Sequence, residues 1–355
     1  MPGFLLGSIS IVACYGIVNN LFHEFPDPYP VSDVLLSVET LYNRFITGAY
    51  PYKPLEQYAW HPFPPYLPLY WLPLGISDAL NIDTRWTGII ILTLAVGGFG
   101  AICWRTNATL AAKILVTLLP AIALLGFLQF ARADMGVSFE FIIGAYYLIL
   151  STGLLGKNLT LIVIGIICCL LSRFTVVFWL PLFAILAWNN VSRKHFFISL
   201  GVIITAITFI YVIPFHLKDT TAFAKALEYY KGCAIYEWIG MGREHYSWTF
   251  TTGIHFAPYF RSVLRGTMEE RVSTMQLIQL LLMLGLVIIG LVIYSKWKNR
   301  INYFDFCLPM LYIILLIYFM TAPLVFKYYY FTLMMVAAVL GSKLLLTEKD
   351  HATNQ

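Results

Sequence analysis

The sequence predicts an all-α polytopic membrane protein with about ten transmembrane helices. Of its 355 residues, 59% are hydrophobic and 12% are charged, whereas a soluble domain carries about 25% charged residues. Apolar runs close to the roughly 20 residues that cross a bilayer also recur along the chain. The expected spans are 3–22, 86–104, 110–131, 136–155, 157–172, 174–190, 196–216, 275–295, 302–321 and 327–346.

Basic loops predict the orientation of these spans. The densest are Arg193-Lys194-His195 and the run 296–300, and the positive-inside rule assigns both to the cytoplasm. Arg105, Lys113, Lys157 and the tail 347–355 then fall on the same side, with both termini cytoplasmic. This requires that 63–77, which Pro68 and Pro73 interrupt, does not cross; we expect it to lie in the outer interface or to re-enter the membrane. The first span has no basic region before it and no small-residue cleavage pattern, so we interpret it as an anchor.

The predicted outer face collects two large loops, 23–85 and 217–274, and four isolated charges. These charges are Arg132, Asp134, Arg173 and Lys327. A charge beside a membrane span is costly unless it meets water or a partner, so each is a candidate functional residue. Segment 157–190 is too long for one span, and two short helices meeting at the outer boundary would place Arg173 among lipid headgroups. Loop 217–274 is too long for a connector and carries charges of both signs, so we expect it to cap a cavity.

The composition also limits the classes of ligand that we expect the protein to bind. The net charge of +5 comes partly from the short orienting loops, so we do not infer nucleic-acid binding. Five of the six cysteines lie within or at the ends of spans, which indicates neither a disulfide framework nor a zinc site. The outer loops contain no Asp-x-Asp pair, so no obligatory metal is expected, and no cofactor.

The first outer loop has a distinctive order of elements. Residues 31–45 have helical apolar spacing, with Ser32 as a plausible N-cap and Asp33 in the first turn. The helix is expected to end at Gly48. The following run 58–74 is rich in proline and aromatic residues, which predicts an extended segment and then a short helix near the lipid–water boundary.

This arrangement resembles the GT-C superfamily of integral membrane glycosyltransferases, in its mannosyltransferase-like branch. The similarity covers the layout of residues 1–346 and rests on short motifs. These are Asp33, Gly48-Ala49-Tyr50-Pro51-Tyr52, His61-Pro62-Phe63-Pro64-Pro65, Arg132-Ala133-Asp134, Arg173 and Phe326-Lys327-Tyr328-Tyr329-Tyr330. The resemblance implies an inverting enzyme that moves one sugar from a polyprenyl-phosphate donor to a lipid-linked or surface glycan acceptor, among membrane lipids, on the extracytoplasmic face.

The resemblance also implies roles for individual residues. Asp33 would be the general base, with Asp27 or Glu39 as substitutes. Arg173 and Lys327 would contact the departing phosphate. The remaining candidate substrate-binding residues are Tyr52, His61, Arg132, Asp134 and Tyr328.

Each role has a structural alternative. Asp33 could simply stabilise the start of its helix, and Arg173 and Lys327 could be interfacial anchors. Arg132 and Asp134 could pair with each other, and His61 could be a surface residue. At the level of the whole protein, a transporter or lipid flippase and a non-catalytic subunit of an envelope-glycan assembly remain alternatives.

Overall fold

The computed structural model describes residues 1–26, 33–57, 61–240 and 254–347, and within these ranges every regular element is helical. The helices are α1 Pro2–Val12, α2 Tyr15–Glu24, α3 Val34–Ile46, α4 Pro68–Trp71, α5 Gly75–Leu80, α6 Trp86–Cys103, α7 Leu110–Phe130, α8 Arg132–Gly136, α9 Glu140–Leu155, α10 Leu159–Leu170, α11 Leu180–Asn190, α12 Arg193–Ile207, α13 Ala222–Gly240, α14 Ala257–Val263, α15 Met268–Trp297, α16 Tyr303–Thr321 and α17 Tyr330–Thr347. A π-helical stretch, Thr208–His216, extends α12, and 3-10 turns occupy Leu72–Leu74, Phe174–Phe178 and Lys327–Tyr329.

Seven helical segments in the described ranges are long and apolar enough to cross a membrane. They are Pro2–Glu24, Trp86–Cys103, Leu110–Phe130, Arg193–His216, Met268–Trp297, Tyr303–Thr321 and Lys327–Leu346. The prediction of a helical, multi-pass membrane protein is confirmed at this level.

The other three expected spans form helices that are short for a bilayer. Helices α9, α10 and α11 have 16, 12 and 11 residues, and 12 residues extend only roughly 18 Å against a hydrocarbon core of about 30 Å. Almost every residue of α9 is buried, and this helix packs against α6, α10 and α17. An apolar run buried in protein and one buried in lipid have similar composition, which is why the sequence pattern counted all three as full spans.

Close packing of small residues joins α1 to α6. A Cβ atom at Gly7 would lie 2.5 Å from the carbonyl oxygen of Val96, and one at Gly3 would collide with the carbonyl of Gly100. Small residues let helix backbones approach in lipid, where packing replaces the hydrophobic effect as the force between helices. The pair Gly3 and Gly7 therefore fixes the first span against α6.

The helix predicted over 31–45 forms in the first large loop, but its start differs: Asp33 occupies the N-cap position instead of the first turn, and the predicted cap Ser32 lies outside the described residues. Helix α3 runs from Val34 to Ile46, and Gly48 adopts a φ of +77° where the chain turns. The Arg44 guanidinium then donates to the carbonyls of Pro51, Lys53 and Pro54 at 3.0, 2.8 and 2.9 Å. These three hydrogen bonds stabilise the turn that follows α3.

The proline-interrupted piece that begins at α4 enters the helical bundle. Tyr70 and Trp71 are fully buried. The backbone N–H of Leu69 donates to the carbonyl of Leu171 at 2.7 Å, and the Tyr146 hydroxyl donates to the carbonyl of Leu69 at 3.0 Å. These contacts with α9 and with the end of α10 favour the re-entrant arrangement over a helix lying flat on the surface.

The molecule has two chemically distinct ends. At the basic end, Asp305 pairs with Lys157 and Lys343, at 3.2 Å in each case. At the other end, called the site end below, the buried Arg85 donates to Asp83 and to the carbonyls of Phe22, Phe25 and Gly136. Lys157 and Lys343, which come from different segments, therefore lie together at one end of the molecule.

The second large loop packs over the site end. The Trp238 indole donates to the carbonyl of Pro323 at 2.8 Å, and the Tyr230 hydroxyl donates to that of Leu324 at 2.9 Å. Helix α15 has 30 residues, or roughly 45 Å, so it is longer than the hydrocarbon core of about 30 Å. Its first turns join α13 and α14 in a small separate core that includes Trp238, Val272 and Met275.

Candidate functional site

A buried ion pair lies at the centre of the site end. Glu140, the first residue of α9, is fully buried and accepts two hydrogen bonds from the Arg173 guanidinium, one of them at 2.7 Å. The Tyr70 hydroxyl donates to the same carboxylate at 3.2 Å. The Arg173 side chain is 16% exposed. Arg173 is thus held inside the bundle by a carboxylate and does not lie at the lipid surface.

Tyrosines surround this ion pair. We call Tyr66, Tyr70, Tyr230, Tyr328 and Tyr329 the tyrosine cluster. The rings of Tyr66 and Tyr70 stack with centroids 4.8 Å apart. The Arg173 guanidinium lies 4.2 Å from the Tyr329 ring centroid, and the rings of Tyr328 and Tyr329 meet edge to face at 5.0 Å. Segments distant in sequence therefore converge on one cation.

The charge of Asp33 acts on the same cluster. It occupies the N-cap position of α3 without forming a capping hydrogen bond to that helix. The pKa of Tyr66 is raised well above its usual value, mainly by burial and also by the negative charge of Asp33, while Arg173 opposes the rise. Tyr66 therefore lies close enough to sense both Asp33 and Arg173.

The surroundings of Asp33 favour its neutral form. Burial raises the pKa of the Asp33 carboxyl above its usual value, and a backbone hydrogen bond opposes the rise. Its charge also helps to raise the pKa of the Cys233 thiol on α13, where burial is the larger cause. Within the described part of the chain Asp33 forms no ion pair. A partly buried carboxylate with a raised pKa has the properties of a general base.

The two charged residues of the Arg132-Ala133-Asp134 motif have different neighbours. Arg132 pairs with Glu24, with its Nε 2.7 Å from the carboxylate. Burial raises the pKa of Asp134, and the positive charge of Lys327 opposes that rise. The alternative of an Arg132–Asp134 pair is therefore wrong: Arg132 fixes the end of α2, while Asp134 faces Lys327.

Lys327 lies beside the tyrosine cluster, immediately before Tyr328 and Tyr329. Its Nζ is 6.0 Å from the centroid of Phe130, at the end of α7. Tyr328 is buried and its ring stacks on that of Phe326, with centroids 5.2 Å apart. Lys327 and Arg173 thus both lie beside the tyrosine cluster, whose member Tyr66 also senses the charge of Asp33.

Two sequence-predicted residues lie away from this group. Tyr52 is buried, and its hydroxyl oxygen accepts from the Trp71 indole at 3.4 Å. Its ring packs edge to face on Phe215 at 5.5 Å, so it joins the first loop to the end of the π-helical stretch. His61 is exposed and adopts a φ of +43°. These positions give Tyr52 a packing role and leave His61 on the surface.

Of the two residues that could replace Asp33 as the base, Glu39 lies in the described part of the chain and Asp27 does not. Glu39, on α3, accepts a hydrogen bond from Thr84 and lines a cavity of about 410 Å³ with His23, Asp83 and Arg85. Asp27 lies outside the described residues. No group of three or more His, Cys, Asp or Glu side chains in the described ranges is arranged to hold a metal ion.

Sequence analysis missed Glu140 and the clustering of the tyrosines. A signal for Glu140 was present, because it is the one carboxylate at the start of the apolar run 140–155 and such a group needs a partner in a low-dielectric interior. Its partner is 33 positions away, and no local pattern specifies that pairing.

Comparisons of the chain with protein-family models, with curated proteins and with solved structures found no match.

Proposed function

We propose that this protein is an inverting membrane glycosyltransferase that moves one sugar from a polyprenyl-phosphate donor to a lipid-linked or surface glycan acceptor. The observation that carries the proposal is the partly buried Asp33, whose charge acts on Tyr66 of the cluster that also holds Arg173. A base, a cation and aromatic rings are the components that sugar transfer from a lipid phosphate needs.

In the proposed reaction, Asp33 accepts the proton of an acceptor hydroxyl as its oxygen attacks the anomeric carbon. The bond from that carbon to the phosphate oxygen breaks, and the polyprenyl phosphate leaves with the bonding electrons. Arginine has five N–H donors, and Glu140 occupies two of those of Arg173. The remaining donors and the Lys327 ammonium would stabilise the charge on the departing phosphate.

The donor's lipid tail needs a path through the side of the protein. The segment Arg193–His216 has an apolar window with none of its residues buried inside the protein. The first loop contacts its end through the Tyr50 hydroxyl, which donates to the carbonyl of Phe215 at 3.2 Å. We propose that the tail lies alongside this segment, in the lipid.

The proposal includes an orientation and a GT-C-like fold. The basic end faces the cytoplasm of a cell inner or plasma membrane, so both termini are cytoplasmic and the site end is extracytoplasmic. Helices α9, α10 and α11 serve as short internal passes that bring the total to about ten.

One observation favours a second function. The cations of the site end already have carboxylate neighbours: Arg85 has Asp83, Arg132 has Glu24 and Arg173 has Glu140. Such self-neutralised pairs suit a non-catalytic subunit of a glycan-assembly complex. They also weaken the case for a transporter, which usually holds its charges in broken helices near the midplane.

The experiment is a transfer assay with purified protein, radiolabelled polyprenyl-phosphate sugars and membrane lipids. Asp33→Asn is compared with Glu56→Gln, which removes an exposed acid from the same loop. General acid–base catalysis contributes about 10²- to 10⁴-fold, so we expect transfer to fall by at least about 100-fold in the first variant only. Unchanged transfer in Asp33→Asn removes Asp33 as the base, and absence of transfer from every donor favours the non-catalytic subunit.

A further inference from the structure

The basic end contains a cavity that the proposed transfer reaction does not use. Its volume is about 400 Å³, within the range of about 300–1,000 Å³ typical of small-molecule sites. Its charged lining consists of Arg105, Lys157, Lys343 and Asp305. Three cations against one carboxylate give this basic cavity a formal charge of +2.

The cations come from separate segments that the fold brings together. Arg105 follows α6, Lys157 connects α9 to α10, and Lys343 lies near the end of α17. Asp305, in the first turn of α16, is shared by Lys157 and Lys343 at 3.2 Å each. Among the described residues that line the cavity, two ammonium groups and a guanidinium thus face a single carboxylate.

The start of α10 lies beside the cavity, which is lined by Lys157 and Asn158. Lys157 adopts a φ of +51°, which turns the chain sharply before α10. The Asn158 side chain caps α10 by accepting from the N–H of Leu161 at 3.1 Å. The first turn of a helix has further N–H groups without helical partners and carries positive dipole charge.

Part of the remaining wall is aliphatic, beside the polar side chains of Thr106 and Asn158. Ile102, Leu155 and Leu346 line the cavity beside the cations. Leu346 and Ile102 lie at or next to the ends of candidate membrane spans. Aliphatic side chains can pack against the glycerol and upper acyl carbons of a phospholipid, whereas a free ion makes no apolar contacts with them.

We propose that the basic cavity binds the phosphate headgroup of an anionic phospholipid from the leaflet on that side of the membrane. Basic pockets between spanning helices on the cytoplasmic side are suited to anionic headgroups. This proposal does not depend on the transferase reaction, because the cavity lies at the opposite end from Asp33 and Arg173.

The test uses the full-length protein in nanodiscs of phosphatidylcholine with increasing phosphatidylglycerol. Retained lipid is measured by native mass spectrometry, and thermal stability by the apparent unfolding temperature. The test variant is Arg105→Gln with Lys157→Asn, since asparagine tolerates the left-handed backbone of position 157. The control variant is Lys194→Gln with Lys298→Gln, which removes two exposed cations from the predicted cytoplasmic loops, outside the cavity.

The wild type and the control variant are expected to retain phosphatidylglycerol in preference to phosphatidylcholine. The test variant should bind phosphatidylglycerol at least about tenfold more weakly. Equal weakening in both variants would mean general surface charge and would overturn the proposal, as would a lack of preference in the wild type. The single variant Arg105→Gln changes only an exposed side chain and supplies the result if the double variant does not fold.

A separate arm distinguishes the source of the phosphate. Inorganic phosphate and glycerol 3-phosphate are added to protein in phosphatidylcholine nanodiscs. Stabilisation by either one equal to that by phosphatidylglycerol would indicate a soluble phosphate ligand and contradict the lipid assignment. Stabilisation by phosphatidylglycerol alone supports it.

Discussion

Asp33 and Glu140 are both carboxylates that the fold removes from water, but their surroundings differ. Glu140 receives two hydrogen bonds from Arg173 and one from Tyr70. Asp33 senses the same tyrosine cluster without an ion-pair partner among the described residues. A paired buried carboxylate organises structure, whereas one with a raised pKa is suited to proton transfer.

The raised pKa of Asp33 predicts the pH dependence of transfer. A general base must be deprotonated, so activity should fall as pH decreases through the Asp33 pKa, above the pH at which an exposed aspartate would protonate. The measurement is the pH profile of sugar transfer. A profile that stays flat through the acidic range down to the ordinary aspartate pKa would contradict the prediction.

The same shift predicts the effect of neutralising Asp33 on stability. Because the folded-state pKa is raised, the protonated form favours folding, and this contribution is lost as pH rises through the folded pKa. Asp33→Asn should therefore unfold, at neutral pH, at a temperature equal to or above that of the wild type. A markedly lower unfolding temperature would show that the carboxylate stabilises the fold.

Two Arg–Glu pairs at the site end provide a matched comparison of burial. The side chains of Arg173 and Glu140 are 16% and 0% exposed, and those of Arg132 and Glu24 are 39% and 48% exposed. Arg173→Gln should cost about 3–5 kcal/mol, because it leaves a buried charge unpaired. Arg132→Gln should cost about 0–1 kcal/mol. Thermal unfolding in detergent measures both, and equal losses would argue against burial as the cause.

At the scale of elements, the glycines of α1 and α6 determine how closely the first two candidate spans approach. A Cβ at Gly100 would collide with the Gly3 carbonyl, whereas Gly98 on the same helix has no atom within 4 Å of its Cβ position. The two positions share a helix and differ only in the face they present.

Alanine at these two positions should have opposite effects. Gly100→Ala forces the helices apart and should cost about 1–3 kcal/mol, while Gly98→Ala should be neutral or stabilise by up to about 1 kcal/mol through helix propensity. The apparent unfolding temperature of each variant measures these changes in stability. If Gly100→Ala is as stable as Gly98→Ala, close packing does not hold α1 to α6.

Local sequence predicted some elements well. The apolar spacing of 31–45 and Gly48 gave α3 and its turn, because both depend on residues a few positions apart. The lengths of α9, α10 and α11 did not follow from their apolar runs. Helix α9 is almost entirely buried against protein and the other two are partly buried, and hydropathy does not distinguish a protein environment from lipid.

At the scale of the whole molecule, the separation of charges between two ends predicts a membrane orientation. Lys218, on the site end, and Lys298, beyond α15 at the basic end, are both exposed. In a background without native cysteines, Lys218→Cys should react with a membrane-impermeant reagent added outside intact cells. Lys298→Cys should react only after the membrane is permeabilised, and the reverse pattern would invert the proposed orientation.

The sequence by itself determined the class of protein, the grouping of basic loops and the helix that begins beside Asp33. These properties depend on composition and on neighbours along the chain. The tertiary structure alone decided that Glu140 holds Arg173, that tyrosines from three segments surround this pair, and that Lys157 and Lys343 share Asp305. Such pairings join residues tens to hundreds of positions apart, and only the packing of the helices specifies which of many possible partners meet.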